Sequence, residues 1–167
     1  ATAQDIKIAH VYDKTGPLEA YAKQSHIGFM MGLEYATGGK MEVLGRKIVV
    51  IEKDTQSKPD VGRTVLAEAY GDDNVTLAVG PVNSGVALAM AKVARETNTL
   101  MIVPNAGADE LTGPLCAPNI FRTSFSNWQP CQPMGGWVAK NVSKDVFLTA
   151  PNYQAGKDMM NAFKETF

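Results

Sequence analysis

Apolar positions along the chain alternate between β-branched runs that suit strands and helically spaced sets that suit helices. Ile-Lys-Ile-Ala-His-Val-Tyr over residues 6–12 predicts a first strand. Residues 18–37 hold helix formers throughout and predict a long helix that stops at Gly38-Gly39. The run Ile48-Val49-Val50-Ile51 within 47–53 is apolar on both faces, as a buried parallel strand is. A helix over 58–70 comes next, with Pro59 in its first turn. A short strand at 76–79, an Ala-rich helix at 84–97 and a strand at 100–103 continue the rhythm. Strands that alternate with helices in this way predict a doubly wound parallel α/β sheet.

After Val103 the rhythm breaks. Residues 109–119 read as a Pro/Gly-rich loop with a short turn, and 120–124 as a strand. Residues 129–141 predict a helix, Val146-Phe147-Leu148-Thr149 another strand, and 155–167 a last helix. The chain stops on Lys164-Glu165-Thr166-Phe167 with no helix stop signal, which is expected of one piece of a larger protein. Its start, Ala1-Thr2-Ala3-Gln4, suits a mature product after leader cleavage and suits an arbitrary boundary equally well.

Bulk properties narrow the function. The chain has 167 residues, 45% hydrophobic and 20% charged, which is enough for one good core. A net charge of −1 with no basic block speaks against nucleic acid and anionic membrane surfaces. No apolar stretch approaches the roughly 18 residues of a membrane span. Cys116 and Cys131 are either two unrelated thiols or a disulfide that implies an oxidising compartment. Neither has a second Cys or His at metal-ligand spacing, so no metal site is expected.

Three loops carry the candidate chemistry. They are Tyr12-Asp13-Lys14-Thr15-Gly16-Pro17, Gly80-Pro81-Val82-Asn83-Ser84-Gly85 and Pro104-Asn105-Ala106-Gly107-Ala108. Each leaves the end of a strand at the C-terminal edge of a parallel sheet, where open α/β folds bind small ligands. Asn83 and Ser84 open a helix, so they can bind a carboxylate, cap the helix end, or do both. Tyr12, Tyr21, Trp128 and Tyr153 fall at or near loop ends and can stack on an apolar ligand. His10 is expected as a core histidine and His26 at a helix surface. Asp13 and Asp54 end strands and are expected in turn or cap duty ahead of acid–base work. An enzyme reading lacks support: the nucleophile elbow G-x-S-x-G fails because Val82 stands two before Ser84, and no phosphate loop starts at Gly80.

Several motifs resemble the type I periplasmic binding proteins. They are Asp5-Ile6-Lys7-Ile8, Thr15-Gly16-Pro17 with Tyr21, Gly45-Arg46-Lys47-Ile48, Lys58-Pro59-Asp60, Ser84-Gly85-Val86-Ala87, Glu110-Leu111-Thr112-Gly113 and Phe121-Arg122-Thr123. The nearest subgroup is the Leu/Ile/Val-binding type, which serves ABC importers of branched-chain amino acids and, in relatives, aromatic acids. The resemblance implies two similar lobes joined by three crossovers. Residues 1–123 would form the first lobe, 124–128 a hinge crossover and 129–167 the start of the second lobe. It implies ligand contacts at Tyr21, Asn83, Ser84, Asn105, Ala106 and Gly107, with Tyr153 added from the second lobe. It further implies a small carboxylate ligand, a periplasmic location, membrane permease and ATPase partners, and no cofactor. The alternative is the ligand-sensing domain of a receptor or regulator on the same fold. Two departures bear on the ligand. Asn83-Ser84 stands where the family often has two hydroxyl residues, and Ala155 stands where it usually has Tyr. The missing ring leaves room and tilts the reading towards a bulky or aromatic acid.

Overall fold

The computed structural model describes residues 4–167, so Ala1-Thr2-Ala3 lie outside the described residues. The chain runs β1 (Ile6–Tyr12), α1 (Glu19–Ala36), β2 (Glu42–Val43), β3 (Arg46–Asp54), α2 (Pro59–Gly71), β4 (Leu77–Val79), α3 (Ser84–Thr97) and β5 (Leu100–Val103). A 3-10 turn (Asp109–Leu111), β6 (Ile120–Arg122), α4 (Trp128–Asn141) and α5 (Gln154–Thr166) complete it. The six strands form one sheet in the order β2-β3-β1-β4-β5-β6. All pairings are parallel except β2 with β3.

Alternation along β1 explains the layers. Ala9 and Val11 point to one face and pack with Leu66 of α2 and with Val86 and Met90 of α3. Ile8 points to the other, where Ile48 and Val79 meet Phe29 and Leu33 of α1. Helices therefore cover both faces, as the doubly wound reading requires. Gly80 ends β4 with φ +134, and a Cβ there would collide with the carbonyl of Val11. Only glycine lets β4 pass this close to β1 as the chain enters the loop before α3.

His10 is a core histidine as expected, whereas His26 stands otherwise. His26 is half-buried, and its ring stacks on His10 at 5.0 Å, while His10 stacks on Tyr12 at 4.2 Å. The Nδ1 atoms of the two imidazoles share a 2.8 Å hydrogen bond. Tyr12 donates its hydroxyl to Glu52, so this ring belongs to the layer beneath α1 and does not face a ligand. His10 is fully buried and its Nε2 has no partner among the described residues.

Three further expectations are corrected. Residues 146–149 form no strand. A strand needs a neighbour to pair with, none of the described strands lies beside this run, and Phe147 is 90% exposed. β2 has no counterpart in the sequence reading, because it is two residues long and turns through Leu44 and Gly45, both at positive φ. Leucine gives no turn signal at such a position. Cys116 and Cys131 are free thiols. Of the two readings of this pair, unrelated thiols and a disulfide, the structure holds the first.

Asp13 ties these elements together. Its buried carboxylate accepts N–H bonds from Val82 at 2.7 Å and Asn83 at 3.0 Å, and the hydroxyl of Thr55 at 2.9 Å. Asp54 accepts from the backbone and side chain of Thr15 and from Gln56, which is turn duty. Asp13→Ala strands two buried N–H groups and a hydroxyl, at roughly 1–3 kcal/mol each, offset in part by the relief of burying a carboxylate. The expected loss is about 3 kcal/mol, read as a lower urea midpoint at constant m-value. A loss below about 1 kcal/mol would remove Asp13 from this structural role.

Burial, and then the neighbouring His26, hold His10 down to about 4 from the usual 6.5, with Glu52 pulling upward. Between these values the unfolded chain binds the proton and the folded chain does not. Stability is therefore complete above about pH 6.5 and falls as pH drops towards 4, by at most about 1.4 kcal/mol per pH unit. Unfolding curves of wild type and His10→Phe across pH 4–7 check this. The variant is expected to show the shallower slope, and equal slopes would rule the effect out.

Candidate functional site

The site grows from the first turn of α3. Asn83 is its N-cap, with Oδ1 accepting from Gly85 N–H at 2.8 Å and Val86 N–H at 3.1 Å. Its own N–H goes to Asp13. Of the amides that open this helix, that of Ser84 has no acceptor among the described residues. Asn83 is thus chiefly a cap, and Ser84 brings both a backbone and a side-chain hydrogen to the sheet edge.

Around Ser84 the other loops close a cavity of about 770 Å³. Tyr21 and Leu18 come from the start of α1, Asn105 and Gly107 from the loop after β5, and Asn83 and Val82 from the loop before α3. Phe125 and Asn127 come from the segment between β6 and α4, and Tyr153, Ala155 and Met159 from the start of α5. Tyr21, Asn83, Ser84, Asn105, Gly107 and Tyr153, all singled out from the sequence, line it together. Ala106 does not. It is buried, and its N–H donates to the carbonyl of Pro81 at 3.2 Å, so it holds the wall from behind. Trp128 also lies elsewhere, with its indole N–H on Glu165 at 2.8 Å.

Sequence reading missed Phe125 and Asn127. Asn127 N–H donates to Gly107 O at 2.7 Å, which brings the segment between β6 and α4 onto the loop after β5. A Cβ on Gly107 would run into the Asn127 side chain, so glycine is needed for this approach.

No Lys, Arg, His, Asp or Glu lines the cavity among the described residues. Its polar groups are neutral hydroxyls, amides and backbone N–H groups, and the rest is aromatic or aliphatic. Burial first, then Tyr21 and Asp13 nearby, push the Tyr153 phenol up, so its hydroxyl keeps its hydrogen at neutral pH. Such a wall can hydrogen-bond an anion at a helix N-terminus and pack an apolar body beside it. A second hollow of about 580 Å³, lined by Arg63, Thr64, Glu68 and Glu96, lies on the outer surface of α2 and α3, away from this edge.

Residues 5–167 match the periplasmic binding protein family. The chain is 32% identical over 163 residues to the Leu/Ile/Val-binding protein BraC3 of Rhizobium johnstonii, a match that takes in 97% of this chain and 44% of that protein. It is similar to the structure of an ABC-type branched-chain amino acid transporter from Rhodopseudomonas palustris. There the identity is 47% and the TM-score 0.77, over 97% of this chain and 43% of that one. A solute-binding protein of an ABC transporter from R. palustris, solved in complex with benzoate, shares 30% identity. Its TM-score is 0.83, over 98% of this chain and 44% of the other. The chain thus spans less than half the length of the relatives it matches. With a match that takes in nearly all of its residues, the chain belongs to the periplasmic binding protein family.

Proposed function

We propose that this chain is the first lobe, joined to the start of the second, of an extracytoplasmic solute-binding component of an ABC importer. Residues 1–123 form that lobe, 124–128 the hinge crossover and 129–167 the opening of the second lobe. The protein works in the periplasm, captures a small carboxylate and delivers it to membrane permease and ATPase partners. The observation that carries this is the neutral cavity at the start of α3, with Ser84 offering two hydrogens beside aromatic side chains. The relatives support it, since those compared include proteins named for branched-chain amino acids and one solved with benzoate. They do not favour the receptor-domain alternative. A binding role also fits the lining better than catalysis does, because among the described residues the lining presents no charged or imidazole group that would move a proton.

Within the carboxylate class, an aromatic acid fits the described walls better than an amino acid. Tyr21, Phe125 and Tyr153 supply apolar area, and Ala155 leaves space. To an ammonium group the described lining offers only neutral acceptors.

Two lobes closed on a ligand reach micromolar affinity with about 8 kcal/mol. One wall offers a helix end worth about 0.3–2 kcal/mol and a few hydrogen bonds to a charged group, each about 1.5–3 kcal/mol. The cost of association removes much of this sum. Titration of the 167-residue chain with benzoate, monitored by amide shifts in NMR spectra, is therefore expected to give millimolar binding centred on residues 83–86. Leucine should bind more weakly. Ser84→Ala should weaken benzoate about tenfold. Micromolar binding by the monomeric chain would sink the two-wall capture reading, and shifts confined to other surfaces would sink the site.

A further inference from the structure

Polar side chains at the base of the cavity form a chain whose hydrogen-bond directions are fixed from its far end. Asn127 Nδ2 lies 2.9 Å from Asp158 Oδ2 and 3.1 Å from Ser84 Oγ. Gln154 Nε2 lies 2.8 Å from Asp158 Oδ1 and 2.9 Å from Glu110 Oε1. The chain crosses the molecule: Ser84 is on α3, Asn127 on the crossover, Asp158 and Gln154 on α5, and Glu110 in the 3-10 turn. Ser84 and Asn127 are each 1% exposed, so bulk water does not compete for the bond between them.

The donor and acceptor inventory settles the direction of each bond. A carboxylate accepts and does not donate. The Asn127 atom facing Asp158 must then be the amide nitrogen, which fixes the flip of the side chain. The same argument fixes Gln154, whose two amide hydrogens go to Asp158 and Glu110. The second hydrogen of Asn127 points at Ser84 Oγ, so Ser84 accepts from Asn127 and cannot donate back to it. Among the described residues the Ser84 hydroxyl donates to no protein acceptor, while the residue lines the cavity.

We propose that Asn127 and Asp158 are positioning residues: together they turn Ser84 Oγ–H into the cavity as an obligate donor, which selects a ligand oxygen that can only accept. Ser84 N–H points the same preference from the backbone. This inference rests on the reading of the cavity as a carboxylate site and explains how an uncharged wall favours a carboxylate, whose two oxygens both accept, over its amide, whose NH2 finds no acceptor at Ser84. It also gives α5, placed in the opening of the second lobe, a direct hold on the ligand wall of the first.

A swap separates this role from mere structural support. Asn127→Asp combined with Asp158→Asn restores a hydrogen bond between the two positions but reverses the one to Ser84. The carboxylate now at position 127 takes the Ser84 hydrogen, and a lone pair faces the cavity. The probes are benzoate and benzamide, compared by NMR titration in wild type, each single variant and the swap. Wild type is expected to prefer benzoate, and the swap to lose that preference by about tenfold or more while its melting temperature stays near that of wild type. Ser84→Ala should lower the preference in wild type and leave it unchanged in the swap background, because the donor is already lost there. A swap that regains the wild-type preference would overturn the proposal, since structural support alone is then enough. So would an equal effect of Ser84→Ala in both backgrounds, which would mean that the new charge acts without Ser84.

A ligand-free readout keeps the two readings apart. Both Asn127 side-chain amide hydrogens should exchange slowly with solvent, one of them showing an Overhauser contact to the Ser84 β-hydrogens. Fast exchange of both would sink the relay. Slow exchange with no response to benzoate in wild type would sink the carboxylate reading and leave the orientation of Ser84 standing.

Discussion

The carboxylate of Asp13 is the constraint on which the sheet edge depends. It sits at the end of β1, buried, with no cation among its hydrogen-bond partners, and is held by two backbone N–H groups and one hydroxyl. A lone buried carboxylate is costly. Here it lies against the start of α3, where the partial positive charge of the helix and the orphan amides offset much of that cost. In return it fixes the loop before α3 to both β1 and the segment after β3. Every wall residue between Val82 and Ser84 takes its position from that bond set.

The same arrangement limits what the helix end can give a ligand. Asp13 takes the amides of Val82 and Asn83, and the Asn83 side chain takes those of Gly85 and Val86. Among the described residues one amide is left, that of Ser84, together with the Ser84 hydroxyl. A generic anion site at a helix start is thereby narrowed to two hydrogens at one residue. Narrowing costs affinity, because fewer donors meet the anion and the negative Asp13 lies behind them. It gains direction, because an anion bound at this helix start would have one place to sit.

Legibility in the sequence depends on how local each signal is. β1 and α3 are readable to the residue, since β-branched alternation, Asn83 as a cap and Asn98 at the helix end are contained in the elements themselves. Asn83 and Ser84 stand out for the same reason. The run at 146–149 has strand composition but no partner, and pairing is decided by residues far away in the chain. His26 falls on the side of α1 that meets His10, sixteen positions earlier, a contact that no window around either residue contains. Asn127 is the extreme case. Its partners Ser84 and Asp158 lie 43 and 31 positions away, and nothing in Ser-Asn-Trp marks it out. Its nearest sequence clue is Gly107, which makes room for it, and that clue needs the fold to be understood.

A wall without formal charge changes how an anion is held. Between full charges, attraction reaches across a Debye length and fades with salt. Between neutral hydrogen-bond donors and a carboxylate it is short-ranged and depends on orientation and on the exclusion of water. Orientation is supplied within this chain, because Asp13, Asn83 and Asn127 leave Ser84 little freedom. Exclusion of water needs a facing wall, and in this chain Tyr153, Ala155 and Met159 at the start of α5 contribute one edge of it. Preorganised donors gain most when the local dielectric falls, so in a wall of this kind the strength of capture is set by how completely the cavity closes. The bond from Asp158 on α5 to Asn127 then has a second consequence: the helix that helps to close the cavity also aims the donor that makes closure worthwhile.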